Sequence, residues 1–123
     1  MGVVMLVDDH NMFRESLALM LEWHSDFEEC VQVQSLAEAR QVLGNLGRNF
    51  DLAIVNLDLA NGGSFDLIKE LRMSHPDVPV LAITRERDDY QRDEALRAGA
   101  AEMLTMAATL RELVDGAKRL VGE

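Results

Sequence analysis

The sequence predicts an α/β fold in which a doubly wound, five-stranded parallel sheet carries helices on both faces. Five short apolar runs alternate with amphipathic segments along the 123 residues. The first, third and fourth runs are apolar throughout, which is typical of strands that a parallel sheet buries on both faces. Strands separated by single helices favour right-handed crossovers, and the chain therefore indicates one (βα)5 unit.

The predicted strands differ in how apolar they are. The second and fifth runs contain polar residues, as edge strands tend to, whereas the other three do not. The strands are predicted at residues 3–7, 30–33, 52–55, 80–83 and 101–105.

Helix signals fill the segments between these strands. Capping boxes at residues 35–38 and 109–112 predict the starts of the second and fifth helices. Ser64 is predicted to cap the third helix, and Gly47 and Gly99 are predicted to end the second and the fourth. In sheets of this kind the functional crevice lies at the carboxyl ends of the strands.

Size and composition suit a single domain, residues 1–123, with no output domain within the chain. Hydrophobic residues make up 48% of the sequence and aromatic residues 5%, so the core is expected to be aliphatic. The formal charge of −10 opposes direct binding of nucleic acid or of an anionic membrane surface. A single cysteine, no signal peptide and no apolar run near the ~20 residues of a membrane span predict a cytoplasmic location.

Chemically distinctive residues stand at the predicted carboxyl ends of the strands. Asp8 and Asp9 follow the first strand, Asn56 the third, Thr84 the fourth and Met106 the fifth. The acidic pair, the order of elements and these spacings resemble the receiver domain of bacterial response regulators over the whole chain. The resemblance implies the receiver type of the flavodoxin-like fold.

In that family an aspartate at the end of the third strand accepts a phosphoryl group and holds magnesium together with the acidic pair. A threonine and a lysine contact the phosphoryl oxygens. The resemblance places Asn56 at the acceptor position and Met106 at the lysine position. Because a neutral amide is a very poor nucleophile, the sequence predicts a degenerate receiver that is not an enzyme.

The changes at the acceptor and lysine positions together leave the net charge of the pocket the same as in the family. Three carboxylates and one lysine sum to −2, and Asp8 with Asp9 alone also sum to −2. Loss of the lysine alone would leave three close carboxylates without a cation. Two other interpretations of Asn56 stay open: a polar strand-end residue that caps a backbone group, and an engineered change, against which Met106 argues.

No cofactor is predicted to be required. Two carboxylates and an amide are a poor set of ligands, so Asp8 and Asp9 are predicted to bind Mg²⁺ weakly, if at all. The three histidines and Cys30 lack the spacing of zinc ligands.

Three further residues bear on the pocket. The resemblance places Met103 where the family usually has the aromatic residue that swings inward on activation. Arg85 follows Thr84, and its guanidinium is predicted to contact Asp8 or Asp9 in place of lysine and metal. The alternative is a solvated loop arginine. Asp58 is interpreted as a residue of the pocket rim rather than as a substitute acceptor.

These features together predict a phosphorylation-independent signalling or interaction module. The fourth helix, fifth strand and fifth helix, roughly residues 88–121, are predicted to bind a protein partner or a second copy in a homodimer. His10 after the acidic pair resembles the subfamily whose receivers precede a helix-turn-helix domain. The chain is therefore expected to be either a fragment that regulates a transcriptional output domain outside it or a stand-alone module. The alternatives are a ligand- or cation-sensing receiver that uses the modified acidic crevice, a working phospho-acceptor, and lastly a hydrolase.

Overall fold

Strands and helices alternate strictly along the chain. The computed structural model describes residues 2–24, 27–44 and 49–122, and within them it contains five strands and five helices, none of them long and apolar enough to cross a membrane. The strands are β1 (Val3–Val7), β2 (Glu29–Val33), β3 (Leu52–Asn56), β4 (Val80–Thr84) and β5 (Glu102–Thr105). The helices are α1 (Asn11–His24), α2 (Leu36–Leu43), α3 (Ser64–Ser74), α4 (Asp89–Ala98) and α5 (Leu110–Leu120).

The strands form one parallel sheet with the order β2-β1-β3-β4-β5. Val7 of β1 lies opposite Val55 of β3, and Asn56 lies opposite Ile83 of β4. The order of the strands reverses between β1 and β3, and such a reversal opens a crevice at the carboxyl ends of these strands. The sheet confirms the predicted doubly wound (βα)5 fold.

Side chains of the central strands alternate between two apolar layers. One layer holds Met5 and Val55 and packs against α2, α3 and α4, while the other holds Leu6 and Ile54 and packs against α1 and α5. Strands β3 and β4 are buried throughout and β1 almost throughout, whereas β2 and β5 carry exposed or half-buried residues. This difference confirms the prediction of central and edge strands.

The predicted cap residues begin α2 and α5, and the reciprocal capping box forms at α5, whereas at α2 the Glu38 carboxylate accepts from the backbone N–H of Gln34 instead of that of Ser35. The Ser35 hydroxyl accepts a hydrogen bond from the backbone N–H of Glu38 at 3.1 Å. The Thr109 hydroxyl accepts from the backbone N–H of Glu112 at 3.1 Å, and the Glu112 carboxylate accepts from the backbone N–H of Thr109 at 3.5 Å. Gly99 ends α4 as predicted. Its backbone φ of 125° is one that residues other than glycine rarely adopt.

The start of α3 and the end of α2 differ from the prediction. Ser64 is the first residue of α3 rather than its cap, and Gly63 precedes it with a left-handed φ of 87°. The buried Ser64 hydroxyl instead donates to the backbone carbonyl of Asn56 at 2.7 Å, because that acceptor lies within its reach. Helix α2 ends at Leu43, and the predicted stop at Gly47 lies outside the described residues.

Candidate functional site

The site residues meet at the carboxyl edge of the sheet. Asp8 follows β1, Asn56 ends β3 and Thr84 ends β4, and their exposed fractions are 0%, 2% and 0%. Met106 follows β5, and its backbone N–H donates to the Thr84 carbonyl at 2.7 Å. Buried polar side chains need partners inside the protein, so the hydrogen bonds at this edge decide what the site can do.

Both ends of the Asn56 side chain are engaged. Its Nδ2 donates to Oδ1 of Asp8 at 3.0 Å, and its Oδ1 accepts from the backbone N–H of Asp58 at 2.8 Å. The donated bond requires an amide, because a carboxylate at this position has no proton to give. Asn56 therefore joins the ends of β1 and β3 and also orders the first turn of the loop that follows β3.

Asp8 is a buried carboxyl group with one oxygen satisfied. Its Oδ1 accepts from the backbone N–H of His10 at 2.8 Å as well as from Asn56. Its Oδ2 is buried and has no hydrogen-bond partner among the described residues. Burial raises the pKa of Asp8, hydrogen bonds from His10 and Asn56 oppose that rise, and the charge of Asp9 adds to it. The net effect favours the protonated form relative to an exposed aspartate.

Asp9 has a different environment from Asp8. It is exposed, and its Oδ2 accepts from the backbone N–H of Ala60 at 2.9 Å. This bond ties the end of β1 to the β3–α3 loop. The two members of the acidic pair thus differ: Asp8 is a buried carboxyl group, whereas Asp9 is exposed and binds the backbone of the β3–α3 loop.

These residues fit Mg²⁺ poorly. The buried Oδ2 of Asp8 is an open oxygen ligand, but the oxygens of Asp9 and Asn56 described above are already accepting backbone hydrogen bonds. The Asn56 amide also points an N–H, not an oxygen, at Asp8. Across residues 2–24, 27–44 and 49–122 no three His, Cys, Asp or Glu side chains form a set of metal ligands. Weak binding of Mg²⁺ stays a prediction.

The predicted contact between Arg85 and the acidic pair is absent, and that expectation was wrong. No ion pair or hydrogen bond among the described residues joins the Arg85 guanidinium to Asp8 or Asp9, and Arg85 is exposed. Its backbone N–H donates to Oδ2 of Asp58 at 2.6 Å. Oδ1 of Asp8 needs no guanidinium, because the Asn56 amide and the His10 backbone N–H already donate hydrogen bonds to it.

A different arginine, Arg14 on α1, is buried beside the acidic pair. Its exposed fraction is 5%, and its Nη1 donates to the carbonyl of Asp8 at 3.0 Å and to Oδ1 of Asn11 at 2.8 Å. Its Nε donates to Oε1 of Gln32 on β2 at 3.1 Å. Arg14 was not among the residues predicted to form the site. Its position three residues before Leu17, on the buried face of α1, is the signal that identifies it.

Asp58 links the two loops at the site. Its carboxylate accepts from the Thr84 hydroxyl at 2.9 Å, from the Arg85 backbone N–H at 2.6 Å and from Nε2 of Gln91 at 3.3 Å. Partial burial raises the pKa of Asp58, but the hydrogen bonds from Arg85, Thr84 and Gln91 outweigh it, so the pKa lies below its ordinary value. Asp58 is therefore an ionised anchor at the edge of the pocket.

Met106 and Met103 lie in apolar surroundings. Met106 packs against the α1–α5 layer and Met103 against the opposite layer, both half-buried. Beside Asn56 is a cavity of about 210 Å³, lined by His10, Phe13, Asn56, Arg85 and Met106. The wall at position 106 of this cavity is a thioether and carries no charge.

A five-stranded doubly wound sheet with an acidic pair and a threonine at its carboxyl edge defines a signalling domain of the receiver class. The response regulator receiver domain family matches residues 4–118. The chain belongs to this family, whose members act in two-component signal transduction.

Relatives with established names are similar over nearly the whole chain. The response regulator GacA of Pseudomonas protegens is 34% identical over 120 residues, which are 96% of this chain and 54% of that protein. The response regulator protein PilR of Pseudomonas aeruginosa is 33% identical over 119 residues, which are 94% of this chain and 26% of that protein. The chain thus spans about half, or less, of the length of these relatives.

Solved structures show the same fold at low sequence identity. A CheY-like receiver domain from Methanospirillum hungatei has a TM-score of 0.88 and 19% identity, with 98% of this chain and 94% of that chain covered. A DNA-binding response regulator of the LuxR family from Staphylococcus aureus has a TM-score of 0.87 and 16% identity, with 99% and 100% covered. These likenesses concern the fold.

Proposed function

We propose that this chain is a degenerate receiver that signals without being phosphorylated. The observation that carries the proposal is the hydrogen bond from Nδ2 of Asn56 to Oδ1 of Asp8 at 3.0 Å. Phosphoryl transfer to this position requires a carboxylate nucleophile and a cation against the developing charge. An amide that donates to Asp8 supplies no nucleophile, and Met106 supplies no cation. On this proposal the chain is not an enzyme and needs no cofactor.

The proposed output is a protein contact through α4, β5 and α5. Tyr90 and Leu96 of α4 are exposed, at 73% and 43%, which favours an interaction surface on this side. The partner is a second copy, or a transcriptional output domain outside this chain, acting in the cytoplasm. Relatives support the second option, because this chain covers 51% of the phosphate regulon transcriptional regulatory protein PhoB of Pseudomonas aeruginosa.

Treatment with acetyl phosphate or beryllium fluoride tests the inertness of Asn56. Intact-mass spectrometry should show no labile adduct on the natural sequence, because the amide cannot become an acyl phosphate. The double substitution Asn56→Asp with Met106→Lys serves as the positive control, since it restores the nucleophile and the cation. A labile phosphate on the unsubstituted chain would contradict the proposal, and one mapped to Asp58 would establish a working phospho-acceptor.

A second candidate, a receiver that senses a ligand or cation, has a specific observation in its favour. The Oδ2 atom of Asp8 is buried without a partner among the described residues, and a buried carboxylate oxygen gains from a cation or a donor. Calorimetric titration with Mg²⁺ tests this candidate. The degenerate receiver predicts binding weaker than about millimolar, and tight binding would favour the sensor.

A further inference from the structure

Hydrogen-bond donors from two neighbouring segments converge on the carboxylate of Asp58. The Arg85 backbone N–H and the Thr84 hydroxyl both point at Oδ2, at 2.6 and 2.9 Å, and the Gln91 amide points at Oδ1 at 3.3 Å. The Thr84 hydroxyl oxygen also lies 2.9 Å from Oε1 of Gln91, so its single proton is shared between two acceptors. Thr84 is completely buried, which fixes the position of its hydroxyl.

Such a group of donors is suited to an anion. A backbone N–H, a hydroxyl and an amide N–H bind a negatively charged oxygen more strongly than a neutral one. Gln91 lies in the first turn of α4, where the helix dipole also favours negative charge. Here the anion comes from within the chain, from a residue two positions after Asn56.

We infer that Thr84, Arg85 and Gln91 form an oxyanion cradle that Asp58 occupies as a built-in ligand. The carboxylate thereby holds the β4–α4 loop and the start of α4 against the β3–α3 loop without any bound oxyanion. This inference deepens the proposed function and rests on it in one respect, that no phosphoryl group at position 56 competes for the same donors.

The location of the cradle gives it a regulatory consequence. Helix α4 begins at Asp89, four residues after Arg85, and it is the first element of the proposed interaction surface. Asp58 thus connects the pocket to that surface with one carboxylate. The connection is permanent, and the surface remains in one arrangement.

The cradle also implies a ligand class for the site once Asp58 is removed. The carboxylate borders an open cleft of about 530 Å³, whose lining includes the charged residues Arg85, Glu86, Arg87 and Asp88. The vacated donors and the two arginines would favour a tetrahedral oxyanion such as inorganic phosphate. In the natural chain Asp58 excludes it.

Amide hydrogen exchange and phosphate titration, both followed by NMR, test the inference. In Asp58→Ala the Arg85 amide should exchange at least about tenfold faster than in the natural chain, because a hydrogen bond to a charged group is lost. Asp58→Asn should give a smaller increase, since it keeps an acceptor but loses the charge. Inorganic phosphate should then bind Asp58→Ala saturably, slow the Arg85 exchange again, and leave the natural chain unchanged.

Glu86→Gln is the matched control. Glu86 lines the same cleft and is exposed, so its substitution removes the same charge without touching the cradle, and Arg85 exchange should not change. Unaltered Arg85 exchange in both Asp58 variants would overturn the inference. Equal phosphate binding by the natural chain and Asp58→Ala, or no binding by Asp58→Ala, would overturn the assignment of an oxyanion cradle.

The failure of this inference is distinguishable from failure of the proposed function. A labile adduct at residue 56 of the natural chain would refute phosphorylation independence. The exchange data on the Asp58 variants would still test the cradle independently. If Asp58→Ala unfolds, as far-UV circular dichroism would show, Asp58→Asn against Glu86→Gln provides the same comparison of exchange rates.

Discussion

At the scale of single residues, the amide of Asn56 makes a connection that an aspartate would break. It donates to Asp8 and accepts from Asp58, so its two ends are both used. With an aspartate at position 56, two carboxylate oxygens would meet about 3 Å apart in a buried place, and like charges so close raise pKa values and cost stability. The asparagine removes this repulsion where no lysine is present.

Asn56→Asp should therefore destabilise the domain in the absence of divalent cations. We expect a loss of roughly 1–3 kcal/mol in the free energy of unfolding at neutral pH, because a donor is replaced by a second buried charge. Mg²⁺ should recover part of this loss by binding the three carboxylates. Urea unfolding with and without Mg²⁺ measures both effects.

Asn61→Asp is the control for Asn56→Asp, since Asn61 is exposed in the same loop. Its stability should change little, with or without Mg²⁺. A fully stable Asn56→Asp variant without Mg²⁺ would show that the Asn56–Asp8 hydrogen bond contributes nothing.

Asp8 and Asp58 should give the domain opposite dependences on pH. The pKa of Asp8 is raised above its ordinary value of 3.8, so the folded state binds its proton more tightly and stability falls as pH rises through the range between the two values. The pKa of Asp58 is lowered below 3.8, so its stabilisation is present above that value and is lost as pH falls through the folded-state pKa.

Asp8→Asn should remove the first of these dependences. We expect the variant to be as stable as the natural chain or more so at about pH 7, because it carries no desolvated charge. Its stability should no longer fall as the pH rises above 3.8, the ordinary pKa of an aspartate, whereas Asp58→Asn should lose the acid-side dependence instead. Chemical denaturation over this pH range distinguishes them, and parallel curves for Asp8→Asn and the natural chain would contradict the buried-charge account.

At the scale of elements, the β3–α3 loop is held from several directions. Asp9 accepts from the backbone of Ala60, Ser64 donates to the carbonyl of Asn56, and Asp58 accepts from Thr84. These contacts attach the loop to the ends of β1, β3 and β4. Side-chain hydrogen bonds of the chain itself thereby hold this loop in place at the carboxyl edge of the sheet.

On the other side of β1, Arg14 attaches α1 to the sheet, and Arg14→Ala should destabilise the domain. The substitution leaves the acceptors on Asp8, Asn11 and Gln32 without their donor, so we expect a loss of roughly 2–4 kcal/mol. Arg111→Ala on α5 is the control, since that side chain is exposed and its loss should cost little. Equal stability of the two variants in thermal unfolding would contradict a structural role for Arg14.

At the scale of the whole molecule, the fold leaves large apolar side chains on more than one side. Tyr90 and Leu96 lie on α4, Met12 and Trp23 on α1, and Met73 on α3. The two residues on α4 belong to the proposed interaction surface, which the cradle around Asp58 connects to the pocket. A net charge of −10 opposes unspecific association between copies, so self-association needs a defined patch.

Tyr90→Arg tests that patch. If two copies associate through α4, β5 and α5, analytical ultracentrifugation should show a concentration-dependent dimer that this substitution weakens, because a charge replaces an apolar contact. Met73→Arg is the control, since Met73 is also exposed, at 86%, but lies on α3. Equal loss of the dimer in both variants would contradict the assigned face, and a monomer at every concentration would leave a different protein as the partner.

The sequence by itself determined the fold and the positions of the site. Apolar runs separate central from edge strands because a parallel sheet buries its inner strands on both faces, and the strand ends bring Asp8, Asn56 and Thr84 to one edge. The sequence also places a neutral amide at position 56 and a thioether at position 106, and the proposed degeneracy rests on these two residues.

Only the tertiary structure decided which charged groups meet. The sequence pairs Arg85 with the acidic pair by proximity along the loop, but the structure uses the backbone N–H of Arg85 for Asp58 and buries Arg14 near Asp8 instead. Ser64 is likewise a hydrogen-bond donor to Asn56 and not a helix cap. The physical reason is that hydrogen bonds act over about 3 Å, and the direction of a side chain at that range depends on how helices and loops pack, which residue spacing does not specify.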